Sequence, residues 1–174
     1  MATYKIDPAH SEIHFKVKHL MITNVTGSFE KFDGSFESEA ADLTDAKITF
    51  EADIDSISTN NPQRDGHLKS DDFFSAEKFP KLTFTSTSFV KNSDEDYTLN
   101  GNLDMHGVTN PVTLAVTYNG TTVDPWGNTK LGFEIDGKIS RKEWGLSWGV
   151  VTEAGSVLLS DDVKLVFNVQ FTKA

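Results

Sequence analysis

The sequence contains no cysteine and only five prolines, and none of its apolar runs approaches the ~18 residues of a membrane-spanning helix. The absence of cysteine excludes disulfide frameworks, thiolate zinc sites, iron–sulfur clusters and a thiol nucleophile. Basic residues are also scarce, since 16 Lys and Arg stand against 26 Asp and Glu for a net charge of -10. This balance argues against a nucleic-acid partner and against a polybasic membrane-surface module.

The length of 174 residues fits one domain over residues 1–174. A domain of this size buries about two-thirds of its unfolded surface, so it needs no disulfide or metal to fold. The N-terminal segment carries neither an apolar run nor a cleavage-site pattern. We therefore expect a cytoplasmic protein without an integral membrane span from the chain as written, or a periplasmic protein if a signal peptide has been removed.

Apolar and polar residues alternate with a period of two through most of the chain, which predicts strands with one buried and one solvated face. The clearest examples are residues 48–54, 112–118 and 163–171. The dipeptide Asp33-Gly34 predicts a hairpin turn between two further strands in residues 25–38. About eight strands result, and almost no helical period separates them, so the sheet is expected to be antiparallel.

Strands with one apolar face must bury those faces together, either in a sandwich or in a closed barrel. Several strands span about eleven residues, above the usual ~5–6, which favours a tall barrel. The predicted fold class is therefore all-β, an extended eight-stranded antiparallel barrel. One short helical insertion is predicted at about residues 62–74, where Asn61 and Pro62 supply the start signals.

Phenylalanine is unusually frequent, with 13 Phe against three Trp and three Tyr. The strand period places one set of apolar side chains inside the barrel, where we expect it to line a lumen. The set is Ile13, Phe15, Val17, Phe50, Ile54, Phe84, Leu99, Leu103, Leu114, Val116, Phe133, Ile135, Phe167 and Val169. Phe73, Phe74 and Phe79 lie in or after the helical insertion and are expected to cover one barrel end. A filled core has the same pattern, so the sequence leaves open whether the lumen is hollow.

A second set consists of polar residues near strand ends, where they could surround a barrel mouth and bind a polar headgroup. The set is Asp7, His10, Arg64, His67, Trp126 and Arg141. Arginine suits a phosphate through paired hydrogen bonds, and an indole N–H suits a single acceptor. The same residues also suit turn caps and surface charges, so both interpretations stand at this point.

Several short segments carry a further signal through their order and spacing. They include Asp7-Pro8-Ala9-His10-Ser11, Phe29-Glu30-Lys31-Phe32, Arg64-Asp65-Gly66-His67, Phe79-Pro80-Lys81 and Pro125-Trp126-Gly127. Together they resemble the YceI-like family over essentially the full chain. The resemblance implies a lipocalin-like barrel whose long hydrophobic pore holds a polyisoprenoid chain, such as a polyprenyl phosphate or a quinone tail. Members of the family are often dimers, so a homodimer is among the expectations.

The leading hypothesis is non-enzymatic binding of a long apolar ligand, a polyisoprenoid, quinone-like or other lipid, for transport, storage or a stress response. Each buried methylene contributes ~0.8 kcal/mol, so such binding needs no cofactor and no metal. Metalloprotease, nucleophile-elbow and phosphate-loop spacings are absent. Two alternatives remain open. One is a small hydrolase or isomerase with His10, His19 or His67 as base, and the other is a structural dimer with a filled core.

Overall fold

The computed structural model of the protein describes residues 2–20, 22–147 and 159–174, most of which lie in strands. The strands are β1 (Ala2–Ile6), β2 (Glu12–His19), β3 (Thr23–Phe29), β4 (Phe32–Ser38), β5 (Lys47–Asp53), β6 (Ile57–Ser58), β7 (Lys81–Lys91), β8 (Asp96–Met105), β9 (Val108–Val123), β10 (Thr129–Ser140) and β11 (Leu159–Lys173), and 3₁₀ turns occupy Pro8–His10, Ile54–Ser56 and Arg141–Trp144.

The sheet closes on itself through antiparallel pairs. Its order is β1-β4-β5-β7-β8-β9-β10-β11, and β1 pairs with β11 to complete the ring. Strands β2, β3 and β6 continue the positions of β1, β4 and β5 towards one barrel end, because β2 pairs with β11, β3 with β2, and β6 with β3. The predicted eight-stranded antiparallel barrel is confirmed, with interrupted strands at three of its positions.

The predicted hairpin at Asp33-Gly34 is wrong, because both residues lie inside β4. In the described sheet β3 and β4 do not pair with each other; β4 pairs with β1 and β5. Gly34 instead allows a close approach of the neighbouring strand. A Cβ atom at this position would lie 3.1 Å from the carbonyl oxygen of Thr49 and 3.7 Å from Cβ of Ile6.

The helical insertion is shorter than the predicted 62–74. Helix α1 spans Pro62–Lys69, and the Asn61 side chain caps it by accepting from the Arg64 N–H at 3.1 Å. The helix ends where Ser70 becomes extended and its hydroxyl donates to the carbonyl of His67 at 2.6 Å. No helix in the described part of the chain is long and apolar enough to cross a membrane.

One half of the barrel interior is filled with aromatic rings. We call Phe36, Phe89, Tyr97, Tyr118 and Phe133 the aromatic plug. Ring centroids lie 5.4 Å apart for Phe36 and Phe133 and 4.5 Å apart for Phe89 and Tyr97. The barrel end beside this plug, which includes β1, loop 39–46 and the β9–β10 turn, is called the plugged end. The opposite end carries α1, the β2–β3 turn and the 3₁₀ turn after β10, and is called the helix end.

Candidate functional site

The other half of the barrel is hollow and contains an apolar cavity with a volume of about 190 Å³. Its wall reaches from Phe171, which touches the aromatic plug, to Leu68, Phe74 and Leu159 at the helix end. These last three side chains are only half buried, so the cavity meets the surface between them. We call this opening the mouth. Among the described residues, the cavity is thus closed at the plugged end and accessible from the helix end.

Glycines in neighbouring strands help to keep the cavity open. Three wall side chains approach a glycine of the adjacent strand so closely that a Cβ atom there would collide with them. These pairs are Phe15 with Gly27, Phe84 with Gly101 and Leu114 with Gly137. Because these side chains lie over a glycine, they occupy space next to the wall rather than at the barrel centre.

Substitution of Gly27 by alanine is expected to push the Phe15 ring into the cavity. Overpacking of this kind costs about 1–3 kcal/mol of the free energy of unfolding, and the smaller cavity should bind apolar ligands more weakly. Urea unfolding and titration with retinol, whose fluorescence rises in an apolar site, measure both effects. The control is Gly66→Ala, because Gly66 lies in α1 with nothing within 4 Å of a Cβ atom. Unchanged retinol affinity in Gly27→Ala would contradict this account of the wall.

Most of the residues predicted to line a lumen do lie in the cavity wall. They are Ile13, Phe15, Val17, Phe50, Phe84, Leu99, Leu103, Leu114, Ile135, Phe167 and Val169. The other three are buried but lie away from it: Phe133 is in the aromatic plug, Val116 is next to Tyr97 in the filled half, and Ile54 is in a 3₁₀ turn. The strand period gives the side of the sheet on which a residue lies, but not its depth in the barrel.

Phe73 and Phe74 line the cavity at the helix end together with Leu68 of α1, as their position after the helix had suggested. Phe79 does not join them. Its ring packs edge-on against His106 at 5.2 Å and lies over Gly107. The insertion therefore contributes two of its three phenylalanines to the site.

The six residues predicted as a headgroup set are divided between the two barrel ends. Asp7, His10 and Trp126 lie at the plugged end, where Trp126 is 83% exposed in the β9–β10 turn. Arg64 and His67 lie on α1, and Arg141 follows β10 at the helix end. The structure therefore does not bring the six side chains together around one opening.

Two of these side chains hold α1 and its surroundings in place. The Arg64 guanidinium donates to the hydroxyl and the carbonyl of Thr59, each at 2.7 Å. His67 lies 2.9 Å from a carboxylate oxygen of Asp72, and its ring packs edge-on against Phe73. Their contacts orient the insertion, and neither is among the described residues that line the cavity.

Arg141 is the headgroup candidate that lies in the cavity wall, and it is 5% exposed. Its guanidinium donates to the carbonyls of Leu146 at 2.7 Å, Ser160 at 2.9 Å and Leu159 at 3.3 Å. Burial lowers the pKa of Arg141, and the nearby charge of Asp161 opposes this effect. Since arginine stays protonated in proteins, the apolar wall contains a positive charge that can attract an anionic group.

Asp7 belongs to a polar cluster at the plugged end, 3.2 Å from Lys130 Nζ and 2.9 Å from His10 Nδ1. Burial by itself would raise the pKa of Asp7, but hydrogen bonds from His10, Lys130 and the Ala9 N–H outweigh it and lower the pKa. The cluster thus stabilises the folded state when Asp7 is ionised. The residues around it fasten β1 to β10 rather than contacting the cavity.

The Asp7 contacts predict a pH-dependent stability. A carboxyl whose pKa is lowered on folding stabilises the fold above its unfolded pKa of about 3.9, and this contribution is lost as the pH falls through the folded value. We expect Asp7→Asn to lower the free energy of unfolding by about 1 kcal/mol at pH 7. The difference from the unmodified protein should shrink at pH 3. Urea unfolding at both pH values measures it, and a difference that is independent of pH would refute the assignment.

The histidines considered as catalytic bases lie outside the cavity wall. His10, His19 and His67 are not among the described residues that line it. The His10 side chain is 68% exposed. Within residues 2–20, 22–147 and 159–174, His, Asp and Glu side chains form no cluster of three suited to a metal. The apolar cavity is therefore the candidate functional site.

A closed antiparallel barrel around a cavity of this kind defines the class of small barrels that can enclose one apolar molecule. The model of the YceI-like domain matches residues 4–171, so the chain belongs to the YceI-like family. A UPF0312 protein of Yersinia enterocolitica is 40% identical over 99% of this chain and 88% of the relative.

Two solved structures share the fold. BcnA of Burkholderia cenocepacia superposes with a TM-score of 0.83 at 21% identity and covers 95% of this chain and 98% of its own. A polyisoprenoid binding domain from Saccharophagus degradans, implicated in plant cell wall breakdown, superposes with a TM-score of 0.70 at 17% identity and covers 98% of both chains. Both confirm the barrel.

Proposed function

We propose that this protein binds one long apolar ligand, a polyisoprenoid, quinone-like or other lipid chain, in the barrel cavity, and that it does so as a binding protein rather than an enzyme. The observation that carries the proposal is the hollow half of the barrel, whose wall is apolar apart from Arg141 and contributions from His14 and Thr49. The polyisoprenoid binding of the Saccharophagus degradans domain, which has the same fold, supports the choice of ligand class.

The energetics of this wall favour a lipid chain. Phe15, Leu165 and Phe167 point into the barrel yet remain only half buried, so a ligand would remove their exposed apolar surface from water. Burial contributes ~0.8 kcal/mol per methylene. Part of this gain offsets the cost of ordering a flexible chain. A ligand of several isoprene units would still be bound tightly without any covalent chemistry.

The polar end of the ligand is placed at the helix end in this proposal. Arg141 supplies a positive charge there, within a wall of low polarity, which suits a phosphate or another anionic headgroup.

The bound lipid is cargo for transport, storage or a stress response, and no cofactor is involved. A homodimer also remains a prediction, which light scattering coupled to size exclusion tests directly.

Organic extraction of the purified protein followed by mass spectrometry tests the function directly, and recovery of an apolar chain molecule is expected. Retinol titration supplies a quantitative measure. Leu165→Trp, which fills the cavity, should lower retinol affinity at least about tenfold, while Val90→Trp on the exposed face of β7 should not change it. Recovery of no apolar molecule, together with equal retinol binding by both variants, would overturn the proposal.

A further inference from the structure

The outer surface beside the mouth is rich in lysine, although the chain as a whole carries a net charge of -10. Lys16, Lys164 and Lys138 are direct neighbours on β2, β11 and β10. Lys18 lies two residues further on the same face of β2, and Lys142 lies in the 3₁₀ turn after β10. All five are exposed and are called the mouth lysines. Like charges opposite one another destabilise a sheet, so stability does not explain this arrangement.

Carboxylates neutralise only part of this surface. Lys138 Nζ lies 3.4 Å from an Asp162 oxygen, and Lys142 Nζ lies 3.1 Å from an Asp161 oxygen. Lys16, Lys18 and Lys164 have no carboxylate partner within 4.0 Å among the described residues. The patch therefore keeps a net positive charge.

The same barrel end also presents exposed apolar side chains. Leu20 is 43% and Ile22 is 79% exposed in the turn between β2 and β3. The turn is closed by a hydrogen bond from the Ile22 N–H to the carbonyl of His19 at 3.2 Å. His19 pairs with Leu159, which lines the cavity at the mouth. An apolar tip, a basic surface and the mouth thus lie side by side.

We propose that the helix end docks on an anionic lipid bilayer, with Leu20 and Ile22 inserted between headgroups and the mouth lysines close to lipid phosphates. The proposal rests on the proposed function and deepens it, because it places the mouth where a lipid chain can pass from the bilayer into the cavity without crossing water. Apolar insertion combined with basic residues is how peripheral proteins bind anionic membranes.

The acidic composition does not oppose this docking. Charges are screened beyond a Debye length of about 8 Å at physiological ionic strength, so a bilayer responds to the charges that face it. At the helix end Asp71, Asp72 and Glu143 are also exposed, so the docking depends on the mouth lysines facing the bilayer. The net charge of the sequence argued against a membrane-surface module. A net charge does not show that strand pairing brings the lysines together on one surface.

Co-sedimentation with vesicles of equimolar phosphatidylcholine and phosphatidylglycerol tests the docking. Replacing Lys16, Lys138 and Lys164 together by glutamine should weaken binding about 100-fold, because each lysine is expected to strengthen binding by a factor of roughly five. The matched control replaces Lys47, Lys91 and Lys173 by glutamine; these lysines are exposed at the plugged end, so the net charge is the same. The control should bind as the unmodified protein does, and pure phosphatidylcholine vesicles should bind neither.

The apolar tip is tested in the same assay. Ile22→Ser should weaken vesicle binding several-fold, whereas Val123→Ser, at a position 63% exposed beside the plugged end, should not. Equal losses in the two lysine triples, or no binding of the unmodified protein to anionic vesicles, would overturn the docking. Retinol titration of every variant separates the two proposals. A protein that binds retinol but not vesicles contradicts the docking alone, whereas one that does not bind retinol contradicts the proposed function.

Discussion

Replacing Phe36 by alanine is expected to lower the free energy of unfolding by about 3–5 kcal/mol and to let the cavity accept longer ligands. Phe36 is 1% exposed, and its ring centroid lies 5.4 Å from that of Phe133 and 5.8 Å from that of Phe171. Because Phe171 also lines the cavity, a void at Phe36 would open towards the cavity floor. The aromatic plug would then no longer limit the depth of the cavity.

Urea unfolding measures the loss of stability, and competition of prenyl alcohols from farnesol to solanesol against retinol measures the preferred chain length. Phe79→Ala is the matched control, since Phe79 packs against His106 and does not line the cavity. It should lower stability without changing the length preference. If Phe36→Ala folds and prefers the same chain length as the unmodified protein, the aromatic plug does not set the depth.

The plugged end gives the cavity a defined depth. On β8 the wall runs from Leu99 to Met105, which at ~3.4 Å per residue and a tilt of 35–45° corresponds to about 15 Å along the barrel axis. A longer ligand must fold back or leave its polar end outside. Since the plugged end is filled, the proposed ligand would enter and leave through the mouth, and the surface around the mouth would then matter for exchange.

The strand period predicted the barrel because it records which side of each strand is buried. It could not predict which part of the barrel is hollow. Phe133 and Ile135 lie two residues apart on the same face of β10, yet Phe133 packs in the aromatic plug and Ile135 lines the cavity. The difference arises from Tyr118 on the neighbouring strand β9 and from Phe36 on β4, which does not pair with β10; both rings contact the ring of Phe133. The Phe36 contact depends on how strands that are distant in sequence come together in the closed barrel.

The sequence itself indicated that the six headgroup candidates cannot all lie at one barrel end. Trp126 precedes β10 and Arg141 follows it, and a strand of 12 residues separates its two ends by most of the height of a barrel. Nothing comparable in the sequence indicated that the mouth lysines are neighbours. Lys16, Lys138 and Lys164 become neighbours only through the pairing of β2 and β10 with β11.

Arg141→Met is expected to lower the free energy of unfolding by about 3 kcal/mol or more. The change removes the donor to the buried carbonyl of Leu146 and the donors to the part-buried carbonyls of Leu159 and Ser160, and a buried acceptor left unsatisfied costs about 1–3 kcal/mol. It also removes the positive charge from the cavity wall. We therefore expect the ratio of farnesyl phosphate affinity to farnesol affinity to fall at least about tenfold. Urea unfolding and competition against retinol measure the two effects.

Two further variants separate the charge of Arg141 from its structural contacts. Arg141→Lys keeps a cation but cannot donate to three carbonyls in the same geometry, so it should lose stability and keep the preference for phosphate. Lys47→Met removes an exposed charge at the plugged end, far from Arg141, and should change neither property. The affinity ratio is measured on folded protein and does not depend on the stability lost. If the ratio is the same in Arg141→Met as in the unmodified protein, Arg141 only fastens the 3₁₀ turn to β11, and the ligand headgroup lies elsewhere.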